Sequence, residues 1–372
     1  MNRREFIRKT TSALPAAAAM SVMPQFVSNA LAAAADKWRV FEVTTKVGVL
    51  TPAGVSRVWL PLPLAADTDF QKNLGSTWSA EGGTATVVTD GKYGAEMLYF
   101  EASSSDKVPA VQVTSRFATR DRAVDLSKPG SGAKADRVEL QRYLAPTELI
   151  PTDGIVRDTA RAITKNAGAG EIEKARAIYE WIVENTYRDP KTRGCGVGDI
   201  KYLLESKNLG GKCADLNALF VGLARASGIP ARDIYGVRVA KSGFGYRSLG
   251  VGTDIVTRAQ HCRAEFYSAA YGWVPVDPAD VRKVVLEERA DGQLLTLDDQ
   301  QVRAARARLF GSWEMNWLAF NTAADVALPK SANGKIGFLM YPQAETASGR
   351  LDSLDPDNFR YTMTAQELTS FG

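Results

Sequence analysis

The segment from residue 210 to 230 reads Gly-Gly-Lys-Cys-Ala-Asp-Leu-Asn-Ala-Leu-Phe-Val-Gly-Leu-Ala-Arg-Ala-Ser-Gly-Ile-Pro, and it constrains the fold more than any other part of the chain. Leu216, Leu219, Phe220, Leu223 and Ser227 recur at helical spacing, which predicts a buried helix. Gly228 is placed as its C-terminal stop, and Pro230 prevents its continuation. Cys213 therefore falls in the first turn, where the positive end of the helix dipole favours a thiolate. Gly211 leaves room for a substrate to approach, and the free backbone N–H of Cys213 is a candidate oxyanion donor. A buried cysteine is equally well explained by packing, so a chemical role depends on partners.

The partners are few. The chain has one histidine, His261, and three cysteines, Cys195, Cys213 and Cys262. These residues do not have the spacing of a zinc site, and a three-histidine metal site cannot be built, so neither a metal nor another cofactor is expected. Residues 260–267 alternate like a strand, and residues 273–277, Trp-Val-Pro-Val-Asp, form a second one. Paired through a three-residue loop at 268–270, they set His261 opposite Asp277 with both side chains on one face. A carboxylate there would hold the imidazole tautomer and stabilise the imidazolium. Cys262 points to the other face, either as a packed thiol or in a disulfide with Cys195.

The rest of the chain surrounds this region. Residues 1–9 carry Arg3-Arg4, then Phe6, Ile7 and further positive charge, ahead of an alanine-rich stretch with Ala30-Leu31-Ala32. That pattern resembles a cleaved twin-arginine export signal covering residues 1–35, and it predicts a periplasmic or otherwise exported protein with no stable membrane insertion after cleavage. The leader holds +3 of the net charge of +4, so the remainder is nearly neutral and offers nucleic acid no electrostatic reason to bind. At 45% hydrophobic and 24% charged residues, the chain as a whole reads as globular. Short β-rich runs at 37–43, 57–62, 84–89, 96–101 and 111–117, with Asp90-Gly91 as a turn signal, predict a β-sandwich over 37–122. A linker over 123–149, a helix-and-sheet domain over 150–285 and a C-terminal extension over 286–372 packing on it complete the division.

The stretch 210–232, ending Gly-Ile-Pro-Ala-Arg, together with 261–267 and Tyr271-Gly-Trp-Val-Pro-Val-Asp-Pro278, resembles the core of bacterial transglutaminase-like proteins. The likeness spans about residues 150–282. It implies an α+β, papain-like fold and a Cys-His-Asp triad of Cys213, His261 and Asp277. The segment also resembles arylamine N-acetyltransferases, but Pro278-Ala279-Asp280 stands where those enzymes usually carry a Val-Gly-Phe-Gly type run. Arg263, two residues after the histidine, replaces a frequent family aromatic, a departure bearing on substrate preference.

The chemistry implied is attack of a Cys213 thiolate on a protein or peptide amide, a cell-wall peptide being one such substrate, to give an acyl-enzyme. Water as acceptor makes a protease or amidase, and an amine makes an acyltransferase. The third alternative is a non-catalytic module binding a partner protein or cell-wall polymer. Tyr202 and Asn208 are candidates for a second oxyanion donor, and Phe244 and Tyr246 in the glycine-rich stretch 242–252 for a substrate-facing wall.

Overall fold

The computed structural model describes residues 37–103, 108–130, 132, 134–289 and 291–368, and the leader at 1–35 lies outside them. Two antiparallel sheets stack as a sandwich. The first has the strand order Phe359–Leu368, Arg39–Val49, Ala110–Thr119, Gln71–Glu81, and the second Gly349–Leu351, Gln343–Thr346, Ser56–Pro61, Glu96–Ala102, Thr84–Thr89. Along Arg39–Val49 every second residue from Phe41 to Val49 is buried, the signature of a strand with one covered face. Its far end, Val47 and Val49, meets Val58, Leu60, Leu98 and Phe100 between the sheets. Its near end, Phe41 and Val43, packs on Val237, Leu318 and Phe320. One apolar face thus holds the sandwich together and fastens it to the rest of the molecule, each such side chain contributing about 1.5–3 kcal/mol when fully buried.

The remainder is an α+β unit. Its sheet has the antiparallel order Gly272–Val276, Gln260–Ser268, Ala231–Arg238, Trp317–Asn321. Helix Cys213–Ala226 lies against this sheet and is covered in turn by helices Gly154–Thr164 and Glu171–Asn185. All but two of its residues are buried. Gly222 permits the closest helix contact, since a Cβ there would fall 2.1 Å from the Ile200 side chain. Gly228, at φ +82°, ends the helix as expected, with the Ile229 N–H donating back to the Ala224 carbonyl at 3.0 Å. Among the described residues no helix is long and apolar enough to cross a membrane.

The topology revises the expected division of the chain. The segment after residue 286 does more than pack on the helix-and-sheet unit. It completes both sandwich sheets through Gln343–Thr346, Gly349–Leu351 and Phe359–Leu368, and it supplies the strand Trp317–Asn321 to the other sheet. The expected linker contains a short helix, Arg137–Arg142, capped by the Asp136 carboxylate. The strand Gln71–Glu81 had no counterpart among the predicted runs because neither face is consistently covered: Leu74 and Trp78 are both exposed at this sheet edge.

Candidate active site

Cys213 is the first residue of its helix, as the sequence predicts. The helix start is built around Asp215, whose carboxylate accepts the Lys212 N–H at 3.0 Å and the N–H groups of Val197 and Gly198 at 3.0 and 2.9 Å. A Cβ on Gly196 would lie 1.9 Å from that carboxylate, so only glycine lets the 194–198 turn wrap it. The turn brings Cys195 beside the nucleophile candidate, with the Ala214 N–H donating to the Cys195 carbonyl at 2.9 Å. The Cys213 N–H has no acceptor among the described residues. Gly211, expected to make room for substrate, instead makes room for Asp215, whose Cβ a side chain there would meet at 2.6 Å.

His261 is buried on the central strand Gln260–Ser268, opposite Gly236 of the neighbouring strand. A side chain at Gly236 would run into the Leu318 carbonyl and the Trp317 ring. Without one, Trp317 closes in and donates its indole N–H to the His261 carbonyl at 2.9 Å. Nε2 of His261 lies 2.7 Å from Asp277 Oδ2, which leaves Nδ1 for the Cys213 thiol.

Asp277 reaches His261 by a different register from the one expected. The turn occupies 269–271, Ser268 pairs with Gly272 and Ala264 with Val276, so the position across from Asp277 is that of residue 263 and not 261. The shift is two residues, which preserves the face. Asp277 then leaves the strand as the N-cap of helix Pro278–Glu287, and its carboxylate points back along the sheet to His261.

Residues to which the sequence reading gave no role complete the arrangement. Asn217, one helical turn after Cys213, donates to the Cys262 carbonyl at 2.9 Å and to Asp277 Oδ1 at 3.2 Å, and accepts the Ala279 N–H at 3.3 Å. Its i,i+4 spacing from Cys213 is the signal that could have found it. Asp280 lies 3.5 Å from His261 Nε2, and both its oxygens are bound by Arg238 at 2.6 and 2.7 Å. His261, Asp277 and Asp280 offer ligand atoms within 4.8 Å of one another, but Arg238 already fills the cation position beside Asp280. Arg263 does not face the cleft. It is buried 3.7 Å from Asp277 Oδ2, over the Trp317 ring, with Nη1 donating to the Glu314 carbonyl, so it bears on the acid and not on substrate.

The electrostatics favour a thiolate–imidazolium pair. Hydrogen bonds from the Cys195 and then the Cys262 thiol outweigh burial and, with His261, hold the Cys213 thiol well below its ordinary range. The same contacts, together with burial, push Cys195 and Cys262 up, so they remain protonated donors. All three cysteines are free, so the bridge considered for Cys195 is not formed, and its Sγ lies 3.3 Å from the Gln260 carbonyl, which competes with Cys213 for the one S–H. Burial and Arg238 oppose a charged His261, but Asp280 and Asp277 outweigh them and raise it above the usual histidine value.

Cys213 and His261 open onto a cleft of about 780 Å³, with Cys195 and Tyr341 in its wall. Phe359 and Tyr361, from the strand that completes the sandwich, also line it. The other expected substrate residues lie elsewhere. Tyr202 is exposed, and Asn208 accepts the Tyr187 hydroxyl; neither lines the cleft. Tyr246 is buried with its hydroxyl on the Gln301 carbonyl, and Phe244 is covered by Arg308. Of the 242–252 stretch, residues 250–252 reach the cleft.

Residues 157–278 match the model of the transglutaminase-like superfamily. An uncharacterized protein of Haemophilus influenzae is 35% identical over 347 residues, covering 88% of this chain and 92% of that protein. The crystal structure of a candidate cysteine protease from Cytophaga hutchinsonii aligns over 89% of this chain and 99% of its own, with a TM-score of 0.50 at 16% identity. The periplasmic domain of TgpA from Pseudomonas aeruginosa gives a TM-score of 0.34 at 16% identity, over 71% of this chain and 96% of that domain. With the cysteine helix, the histidine strand and the start of Pro278–Glu287 all inside the matched region, the chain belongs to the transglutaminase-like superfamily.

Proposed function

We propose that the protein is a cysteine hydrolase of peptide amides with Cys213 as nucleophile, His261 as general base and acid, and Asp277 as the orienting carboxylate. The observation that carries this reading is the 2.7 Å contact of His261 Nε2 with Asp277, which frees Nδ1 for a thiol at a helix start. The thiolate attacks the carbonyl carbon, a C–S bond forms, and the C–N bond breaks as His261 protonates the leaving amine. His261 then takes a proton from water, which attacks the thioester and releases the acid and the thiolate. The Cys213 N–H faces the developing oxyanion. Tyr341 supplies a second donor: its hydroxyl accepts the Cys195 N–H at 2.8 Å, and burial keeps it protonated in the cleft wall.

Hydrolysis is favoured over transfer to an amine because the cleft wall carries six Arg and Lys side chains and no carboxylate, a surface that repels an incoming ammonium group. With the twin-arginine leader, the reaction takes place outside the cytoplasm, in the periplasm. The test is to incubate wild type and Cys213→Ala with peptides and a primary amine, scoring fragments and amine-linked products by mass spectrometry. Fragments from wild type, lost at least roughly a thousandfold in the variant, support the reading. Amine-linked products in excess of fragments, or full activity in Cys213→Ala, overturn it. A separate measurement follows export with Arg3 and Arg4 both changed to Lys, which should leave the protein in the cytoplasm.

A further inference from the structure

The charge on the cleft wall has a consequence for what the site accepts. Arg188, Arg193, Arg238 and Lys283 line it but are engaged with carboxylates behind the wall: Glu287, Asp352, Asp280 and again Glu287. Lys212 and Arg258 also line it, and among the described residues neither has a carboxylate within ion-pair distance. Their positions are not arbitrary. Lys212 immediately precedes Cys213, and Arg258 lies three residues before His261, on the segment whose Val256 N–H is fixed to the Met363 carbonyl at 2.9 Å. The two uncommitted cations therefore come from the chain segments that carry the thiol and the imidazole. Leu354, Pro356 and Phe359 add apolar surface to the cleft wall. Of the carboxylates near these residues in sequence, Asp355 accepts the Asp357 N–H and the Asn358 side chain, Asp352 holds Arg193, and Asp357 is exposed and outside the cleft lining.

We infer that the cleft selects acidic peptides, with Lys212 and Arg258 binding carboxylates that flank the scissile amide. This rests on the hydrolase reading and adds the substrate class to it. The physical basis is pairing: a cation with no internal partner, beside the reacting thiol and in a wall free of acids, loses nothing inside the protein when it takes a substrate carboxylate. Lys212 is half-buried and Arg258 exposed, so both interactions weaken with salt.

The experiment uses three quenched-fluorescence peptides identical except at the residues flanking one amide, which are Glu, Gln or Lys. Cleavage is measured with wild type, Arg258→Gln and Lys212→Gln at low and high salt, and binding of the same peptides with Cys213→Ala. The expected result is a kcat/KM for the Glu peptide roughly tenfold or more above its Gln twin, with the Lys peptide slowest. That preference shrinks in each variant, mainly through KM, and shrinks in salt. Equal rates for the three peptides, or a preference that survives both substitutions, overturns the inference and leaves the hydrolase reading standing. Charge-selective binding by Cys213→Ala with no cleavage by wild type overturns the hydrolase reading and leaves the acidic-peptide inference standing. No binding of any of the three overturns the inference.

Discussion

Between the two sandwich sheets the buried side chains are Val47, Val58, Leu60, Leu98, Phe100 and similar apolar groups, whereas around Cys213 the buried set includes Arg238, His261, Arg263, Asp277 and Asp280. The sandwich is held by apolar area, and exposed or half-buried pairs such as Arg39–Glu367 and Arg116–Glu42 sit on its outside. The core carries charges inside, among them the pairs Arg238–Asp280 and His261–Asp277. Burying charge costs stability unless every group is paired, so in the proposed function the network serves the thiol more than cohesion. A substitution of the proposed catalytic groups should therefore act chiefly on turnover, while one in the sandwich should act on stability and leave the turnover of the folded fraction unchanged.

The largest effect expected is chemical. His261→Ala should lower kcat by roughly a thousandfold or more, because it removes the proposed base, with a cost in stability as well because buried Asp277 loses its partner. Turnover assays on the folded protein check this, and a kcat within about tenfold of wild type would contradict it. Arg238→Met comes next. It strands Asp280 in the interior without a partner and should cost about 3–5 kcal/mol by denaturant titration. Leu60→Ala is the sandwich counterpart, costing about 2–5 kcal/mol through the cavity left behind. Its surviving folded fraction should keep the wild-type kcat; a fallen kcat would mean that the two regions are more tightly coupled than drawn here.

A pH effect sharpens the contrast. Asp233 is buried in the core sheet with no hydrogen-bond partner on either carboxylate oxygen, and burial, reinforced by Cys213 and Asp277 against Arg225, raises it to about 8. The folded state thus holds a proton that the unfolded chain gives up near pH 4. The resulting stability is complete below about pH 4 and is lost as pH rises through about 8. Asp233→Asn should flatten that slope in denaturant titrations across the window; an unchanged slope would mean that Asp233 is not its source.

Much of this was legible in the sequence, and the part that was not has a physical cause. The cysteine helix announced itself through an apolar face bounded by Gly228 and Pro230, and strand parity was enough to put His261 and Asp277 on one side. The register was two residues off because parity survives such a slip, so alternation alone cannot detect it. Arg238 was missed because its partner Asp280 is brought close only by folding, whereas Asn217 and Asp215 carried local signals, one helical turn after Cys213 and three residues after Lys212. Phe244 and Tyr246 were misplaced because a glycine-rich stretch does not reveal which end turns toward the cleft. The sandwich's dependence on residues 343–368 was hidden because pairing across some 300 residues leaves no local pattern.

The central claim is that Cys213 is a thiolate paired with an imidazolium. Lowered Cys213 and raised His261 make the reactive ion pair dominant between their two titrations. The direct test is the pH dependence of alkylation by iodoacetamide, mapped to Cys213 by peptide mass spectrometry so that Cys195 and Cys262 are scored separately. Rapid Cys213 labelling well below the free-cysteine value of about 8.5, with the low-pH reactivity abolished by His261→Ala, is the predicted result. Labelling that begins only near that value and is indifferent to His261→Ala would contradict the account.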